Sequence, residues 1–142
     1  MRFCGLKNST SLFAAIIILF YTGCASLRPL NSDKCKKIVV EYASQIDAGR
    51  FSLALLPKQR IGESGFFYIL SEKGVLLVHP AEILVGNDFS KVPQVRLILS
   101  RDSGVQSDDL GGIARTVFFR RLASGSMLCL TINTAELQTE VK

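Results

Sequence analysis

Two short apolar runs constrain this chain more than any other feature. Phe66-Phe67-Tyr68-Ile69-Leu70 and Val75-Leu76-Leu77-Val78-His79 flank the segment Ser71-Glu72-Lys73-Gly74. Apolar and aromatic runs joined by a short glycine-containing segment predict an antiparallel hairpin. Pro80 cannot donate to a ladder and ends the second strand. In the first run Phe67 and Ile69 share one face, and Phe66, Tyr68 and Leu70 the other. Both faces are apolar, so this strand is expected to be covered on both sides.

The flanking sequence supplies the other elements. Asn31, Ser32 and Asp33 each offer a helix N-cap, and Ile38, Val39, Tyr42, Ala43 and Ile46 recur at helical spacing. Gly49 is a plausible stop. A second short helix is expected over residues 51–56, before Pro57, and Gly62 and Gly65 punctuate the loop that follows. After the turn signal Gly86-Asn87-Asp88, the residues Val92, Val95, Leu97, Ile98 and Leu99 predict a short helix. A third strand is expected over 104–110, closed by the Gly111-Gly112 turn, and a last hairpin over 113–122 and 127–133. A helix followed by strands on short turns gives an α+β domain: an antiparallel sheet with helices packed on one side.

The N-terminus has a different character. Arg2 and Lys7 precede the apolar run 12–20, and Tyr21-Thr22-Gly23-Cys24-Ala25-Ser26 follows. This is the layout of a secretory signal. With Cys24 after Gly23 it resembles a bacterial lipoprotein signal, although leucine is commoner at the position of Tyr21. The resemblance implies that Cys24 is lipidated and becomes the first mature residue. A plain cleaved signal and an uncleaved anchor are the alternatives, but the run is roughly half of the ~20 residues that span a bilayer. The expected organisation is a signal at 1–23, a lipidated tether at 24–33, one domain at 34–135 and a tail at 136–142. Such a protein works in the cell envelope, at the periplasmic or surface face, attached to the membrane through its lipid. Ala25 and Ser26 in place of an aspartate after the cysteine lean toward the outer membrane.

Without residues 1–23 about 119 residues are left, enough for one modest core. The formal charge of +5 falls to about +3 once Arg2 and Lys7 leave with the signal. The remaining basic residues are scattered among acids, and Lys34, Lys36 and Lys37 form the one local group, suited to anionic headgroups. Nucleic-acid binding would need a clustered basic stripe with stacking aromatics, so that class is set aside. Of the four cysteines, Cys4 leaves with the signal and Cys24 takes the lipid. Cys35 and Cys129 are then either a bridged pair, worth about 4–5 kcal/mol in a chain-entropy account, or an ordinary helix residue and a small core residue. No CxxC pair or histidine cluster points to a metal, and no cofactor motif is present. With one histidine and no nucleophile motif, no catalytic residue can be assigned and an enzyme is not expected.

A family resemblance enters with 61–70 (Ile-Gly-Glu-Ser-Gly-Phe-Phe-Tyr-Ile-Leu) followed by Lys73-Gly74-Val75-Leu76-Leu77-Val78-His79-Pro80. This segment resembles the core hairpin of Cache domains, the PAS-like extracytoplasmic sensing modules of bacterial chemoreceptors and kinases. Gly86-Asn87-Asp88 resembles their turn after the His-Pro. Gly111-Gly112 with 115–119 and 127–132 resembles their closing strands. The likeness covers residues 50–135. It implies a five-stranded antiparallel sheet with an N-terminal helix behind it and a small-ligand pocket on the other face, for amino acids, carboxylates, amines or purines. The long N-terminal helix of the family is short here, and the aromatic-arginine-aspartate signature of its amino-acid binders is not recognisable.

The candidate ligand-binding residues are Tyr68, His79, Arg115, Phe118 and Arg120. In the family the His-Pro end of the second strand borders the pocket, so His79 is either a ligand contact or a structural hydrogen-bonding group. Arg115 and Arg120 have opposite parity and point to opposite faces; Phe118 shares the face of Arg120. An arginine facing a pocket would grip a carboxylate with two hydrogen bonds. Tyr68 is either a ligand contact or core. Asp88 reads as a turn residue and Asp108-Asp109 as a solvated pair. Two functions follow: a tethered sensory accessory domain that binds a small polar ligand, or an interaction lipoprotein whose PAS-like sheet docks an envelope protein. No output domain accompanies the sensing unit in this sequence, so signalling is expected to run through a partner sensor.

Overall fold

The computed structural model describes residues 29–138. The expected signal, Cys24 and half of the expected tether lie outside the described residues, as does most of the expected tail. Helix α1 (Ser32–Asp47) opens on Asn31, whose side chain accepts the Lys34 N–H at 2.8 Å. Cys35, Val39 and Ala43 form its buried stripe, spaced one turn apart. The chain leaves the helix through Gly49 at φ 68°, a left-handed value that favours glycine. A 3₁₀ turn (Leu53–Lys58) leads into the sheet. Its strands are β1 (Arg60–Ile61), β2 (Gly65–Leu70), β3 (Leu76–Val78), β4 (Ser103–Leu110), β5 (Ile113–Arg121) and β6 (Met127–Asn133). Between β3 and β4 lie a 3₁₀ turn (Glu82–Leu84) and the short helix α2 (Pro93–Leu99).

All pairings are antiparallel, in the order β1-β2-β6-β5-β4, with β3 also on β2. Strand β6 sits between β2 and β5 and is buried from Met127 to Ile132. On one face Phe67, Ile69, Phe118, Leu128, Leu130 and Ile132 pack against the α1 stripe. The ring of Tyr42 lies 4.5 Å from that of Phe67, centroid to centroid. Leu30 and Leu137, outside the expected 34–135 domain, also pack on this core, and the Gln138 N–H donates to the Leu30 carbonyl at 2.9 Å. The folded unit therefore draws in both flanks.

The opposite face carries a second core of Leu70, Leu76, Ile98, Val117, Phe119, Met127 and Cys129, covered by α2. This separates the two cysteines. Cys35 points from α1 into the first core and Cys129 from β6 into the second, so the sheet stands between them and both are free, buried thiols. The bridged alternative is corrected: a disulfide needs Cβ atoms about 3.5–4.5 Å apart, and no such approach exists across a sheet.

The segment from β3 to α2 folds back over the sheet edge. Leu76 N–H donates to the Asn87 carbonyl, Gly86 N–H to the Leu76 carbonyl and Phe89 N–H to the Gly74 carbonyl. Gly74, at φ +87°, lets this happen: a Cβ there would stand 2.9 Å from the Ser90 Cα. Asp88 accepts the Ser90 N–H at 2.8 Å, a turn role. At the far end Arg121 fastens α2. Its guanidinium donates to the carbonyls of Leu99, Arg101 and Gly125 and pairs with Asp102 at 3.0 Å.

Candidate functional site

Strand register fixes which side chains meet on the face away from α1. Reading across β6, β5 and β4, one row is Asn133, Arg115 and Asp108. The next, from β2 to β4, is Phe66, Thr131, Val117 and Gln106, and the third is Tyr68, Cys129, Phe119 and Gly104. The α2 side of this face is filled by its apolar core. Toward the β4–β5 turn the small side chains Thr131 and Val117 leave the floor low, and a cleft of about 270 Å³ opens above them. Phe66, Tyr68, Arg115 and Asp108 rise from the sheet around it. The folded-back segment supplies the outer wall through His79, Leu84, Phe89, Val92 and Val95.

Arg115 is the distinctive group. Its Nε is buried and has no hydrogen-bond partner among the described residues. Asp108 is its cross-strand neighbour, yet the two form no ion pair. A buried donor left unmade costs about 1–3 kcal/mol, so the position favours an incoming acceptor. An anion there would gain a charge-assisted hydrogen bond in surroundings that are largely hydrocarbon.

Two aromatic residues complete the polar side. Burial, above all, pushes the Tyr68 hydroxyl well above the ordinary phenol pKa; the neighbouring Cys129 thiol and the Asp108 charge add to this, and Arg115 opposes it. Tyr68 therefore stays an O–H donor at neutral pH. Burial likewise lowers the pKa of His79, with the Arg115 charge acting in the same sense. His79 Nδ1 accepts the Ala81 N–H at 2.9 Å, which leaves the proton of the neutral ring on Nε2. The His79 ring stands edge-on to Phe66 at 5.2 Å and lies 6.2 Å from Tyr68. Cys129 is buried beneath the site, and desolvation pushes its thiol up to about 12, so it is no nucleophile.

Of the five candidate residues, the structure brings Tyr68, His79 and Arg115 together on one cleft. Phe118 and Arg120 are not part of it, which corrects their assignment. Phe118 packs into the α1-facing core, and Arg120 emerges on the same side near Lys36 and Val40. The reason is pleat parity: three and five residues separate them from Arg115, and odd separations reverse the face. Asp108, expected as half of a solvated pair, instead lines the cleft. Its signal was the Gly111-Gly112 turn, which pairs Leu110 with Ile113 and so sets Asp108 opposite Arg115. Leu84, Phe89, Val92 and Val95 come from a connection in which the spacing of Val92 and Val95 signals the short helix but not where it docks.

No family model matches this sequence, and no curated protein does. Solved structures do resemble it. The extracellular domain of mmHK1S-Z3, a protein assigned as a histidine kinase, superposes with a TM-score of 0.51 at 18% identity, covering 66% of this chain. That of mmHK1S-Z2 gives 0.51 at 17% identity over 59%. The chain spans only 36% and 38% of the length of those two domains. The ligand-binding domain of the Pseudomonas aeruginosa PAO1 amino acid chemoreceptor PctB, in complex with L-Gln, gives 0.49 at 20% identity, over 65% of this chain and 40% of that one. The described domain shares the α+β fold of the two mmHK1S extracellular domains: an antiparallel sheet backed by an N-terminal helix.

Proposed function

We propose that this chain is a membrane-anchored, extracytoplasmic lipoprotein whose Cache-like domain binds a small carboxylate-bearing ligand in the cleft over β2, β6 and β5. The observation that carries the ligand reading is the buried Nε of Arg115, a residue that lines the cleft, with no hydrogen-bond partner among the described residues. Arg115 takes the carboxylate, and the Tyr68 hydroxyl and His79 Nε2–H are donors beside it. Among the described residues Asp108 is the one acidic group lining the cleft, and it accepts from any amine or hydroxyl that the ligand carries.

The anchor rests on the signal pattern that ends at Cys24. Among the described residues no helix is long and apolar enough to cross a membrane. Several acyl chains on Cys24 would hold the domain stably at the envelope, with the outer membrane as the favoured site. A ligand signal then passes to a partner sensor. The second reading, a PAS-like sheet that docks an envelope protein without a ligand, draws on Ile83, which is 88% exposed on the folded-back segment.

A thermal-shift screen of the full chain against amino acids, short carboxylates, amines and purines separates the two. A ligand at 100 times its Kd adds about 2.7 kcal/mol of stability, a shift of several degrees. Carboxylates that shift the wild type and fail to shift Arg115→Met support the receptor. A flat panel together with a stoichiometric envelope protein in a pull-down supports docking.

A further inference from the structure

The cleft carries information about the rest of the ligand as well as its charged end. Resting on the reading of Arg115 as the anion site, we propose that the ligand is an amphipathic carboxylate: one anionic head on Arg115 and an apolar body along the cleft walls toward its mouth.

The walls are hydrocarbon. Phe66 and Val117 flank the head position, and Leu84, Phe89 and Val95 face them from the folded-back segment. Among the described residues Arg115 is the one permanent cation lining the cleft, and His79 is held toward its neutral form. A second carboxylate would have to lie against hydrocarbon or beside Asp108, and both placements disfavour the charge. The mouth is apolar too: Leu110 and Val92 line it while 58% and 38% exposed. A hydrocarbon body that leaves the walls would cover these two side chains, removing apolar surface from water. A volume of about 270 Å³ lies just under the range of about 300–1,000 Å³ typical of drug-sized ligands. The body is therefore a short chain, a branched alkyl group or a single ring.

The test is calorimetric titration of the full chain in lipid nanodiscs, with empty nanodiscs as the blank. The probes are straight-chain acids from acetate to octanoate, succinate and glutarate, and the matched pairs 4-methylpentanoate with leucine and 3-phenylpropionate with phenylalanine. The proposal expects affinity to rise about threefold to fourfold per methylene until the cleft is full. It expects the diacids to bind at least about tenfold more weakly than monoacids of equal length, the unfavourable equivalent of about 1.4 kcal/mol. Leu110→Gln, at an exposed position, should reduce the gain for the longer acids and leave the shortest unchanged. Tight binding of either member of a matched pair supports the proposal, and their ratio reports whether Asp108 takes an ammonium. A flat chain-length series, or diacids that bind as well as the monoacids, overturns the proposal while leaving the Arg115 site standing. Failure of every carboxylate to bind removes both.

Discussion

The two faces of this sheet are made by alternate residues of the same strands, yet they solve different problems. The face under α1 is closed over its centre, where Phe67, Ile69, Phe118, Leu128, Leu130 and Ile132 meet Cys35, Val39 and Ala43, and hollows remain at the margins of the helix. The other face is closed only where α2 lies, and toward the β4–β5 turn it holds Arg115 and Asp108 around an open cleft. One face therefore invests its side chains in stability, while the other leaves a buried donor unsatisfied. Strained or under-satisfied groups cluster at functional sites because the rest of the fold tolerates their cost.

Substitutions on the closed face should give the largest losses of stability. Phe118→Ala removes a buried ring beneath α1 and is expected to lower unfolding free energy by about 3–5 kcal/mol in urea melts. Arg120→Ala, two residues on and exposed on that face, should change stability by less than about 0.5 kcal/mol and leave ligand binding untouched. Equal effects from the two would break the assignment of faces.

Next comes the turn that seats the cleft's outer wall. Gly74→Ala forces a left-handed φ on alanine and drives a Cβ toward the Ser90 backbone. A loss of about 1–3 kcal/mol is expected, together with weaker ligand binding, read by denaturant midpoint and titration. Gly86→Ala, where no atom of the described residues beyond its chain neighbours lies within 4 Å of the added Cβ, is the sharper control, because only its positive φ is at stake.

The smallest effect is electrostatic. His79 has a lowered pKa in the folded state, so the unfolded chain takes up a proton first as pH falls. The stability contributed by keeping His79 neutral is present above the ordinary imidazole pKa of about 6.5 and is lost as pH drops below it. The denaturant midpoint should therefore fall as pH moves below that value, and His79→Gln should flatten this slope. An unchanged slope in the variant would show that other groups set it.

Much of this architecture was legible in the sequence because local rules carry it. The turn at 71–74, the Gly111-Gly112 turn and the apolar run 127–132 are strand and hairpin signals, and Asn31 and Gly49 bracket α1 as expected. Parity separated Arg115 from Arg120 before any coordinates. It did not say which of them faced the helix, since β2 and β6 are apolar on both sides and pattern alone cannot label the faces. That ambiguity put Phe118 and Arg120 among the ligand residues. Cys35 and Cys129 were left open for a related reason: their separation along the chain carries no information about which side of a sheet each occupies. The outer wall was hidden because the turn at 86–89 is set by backbone hydrogen bonds of Gly86, Asn87 and Phe89 to Gly74 and Leu76, which no side-chain pattern reveals.

The central claim is that Arg115 is kept for a ligand and not for the fold, and one paired measurement on Arg115→Met tests it most directly. Urea unfolding and carboxylate titration would be run on the variant and the wild type. Removal of a buried, unpartnered donor should leave stability unchanged or raise it by up to about 1–3 kcal/mol, while affinity for the carboxylate falls by at least about tenfold. A variant that loses more than about 2 kcal/mol of stability and still binds the ligand as the wild type does would contradict the account.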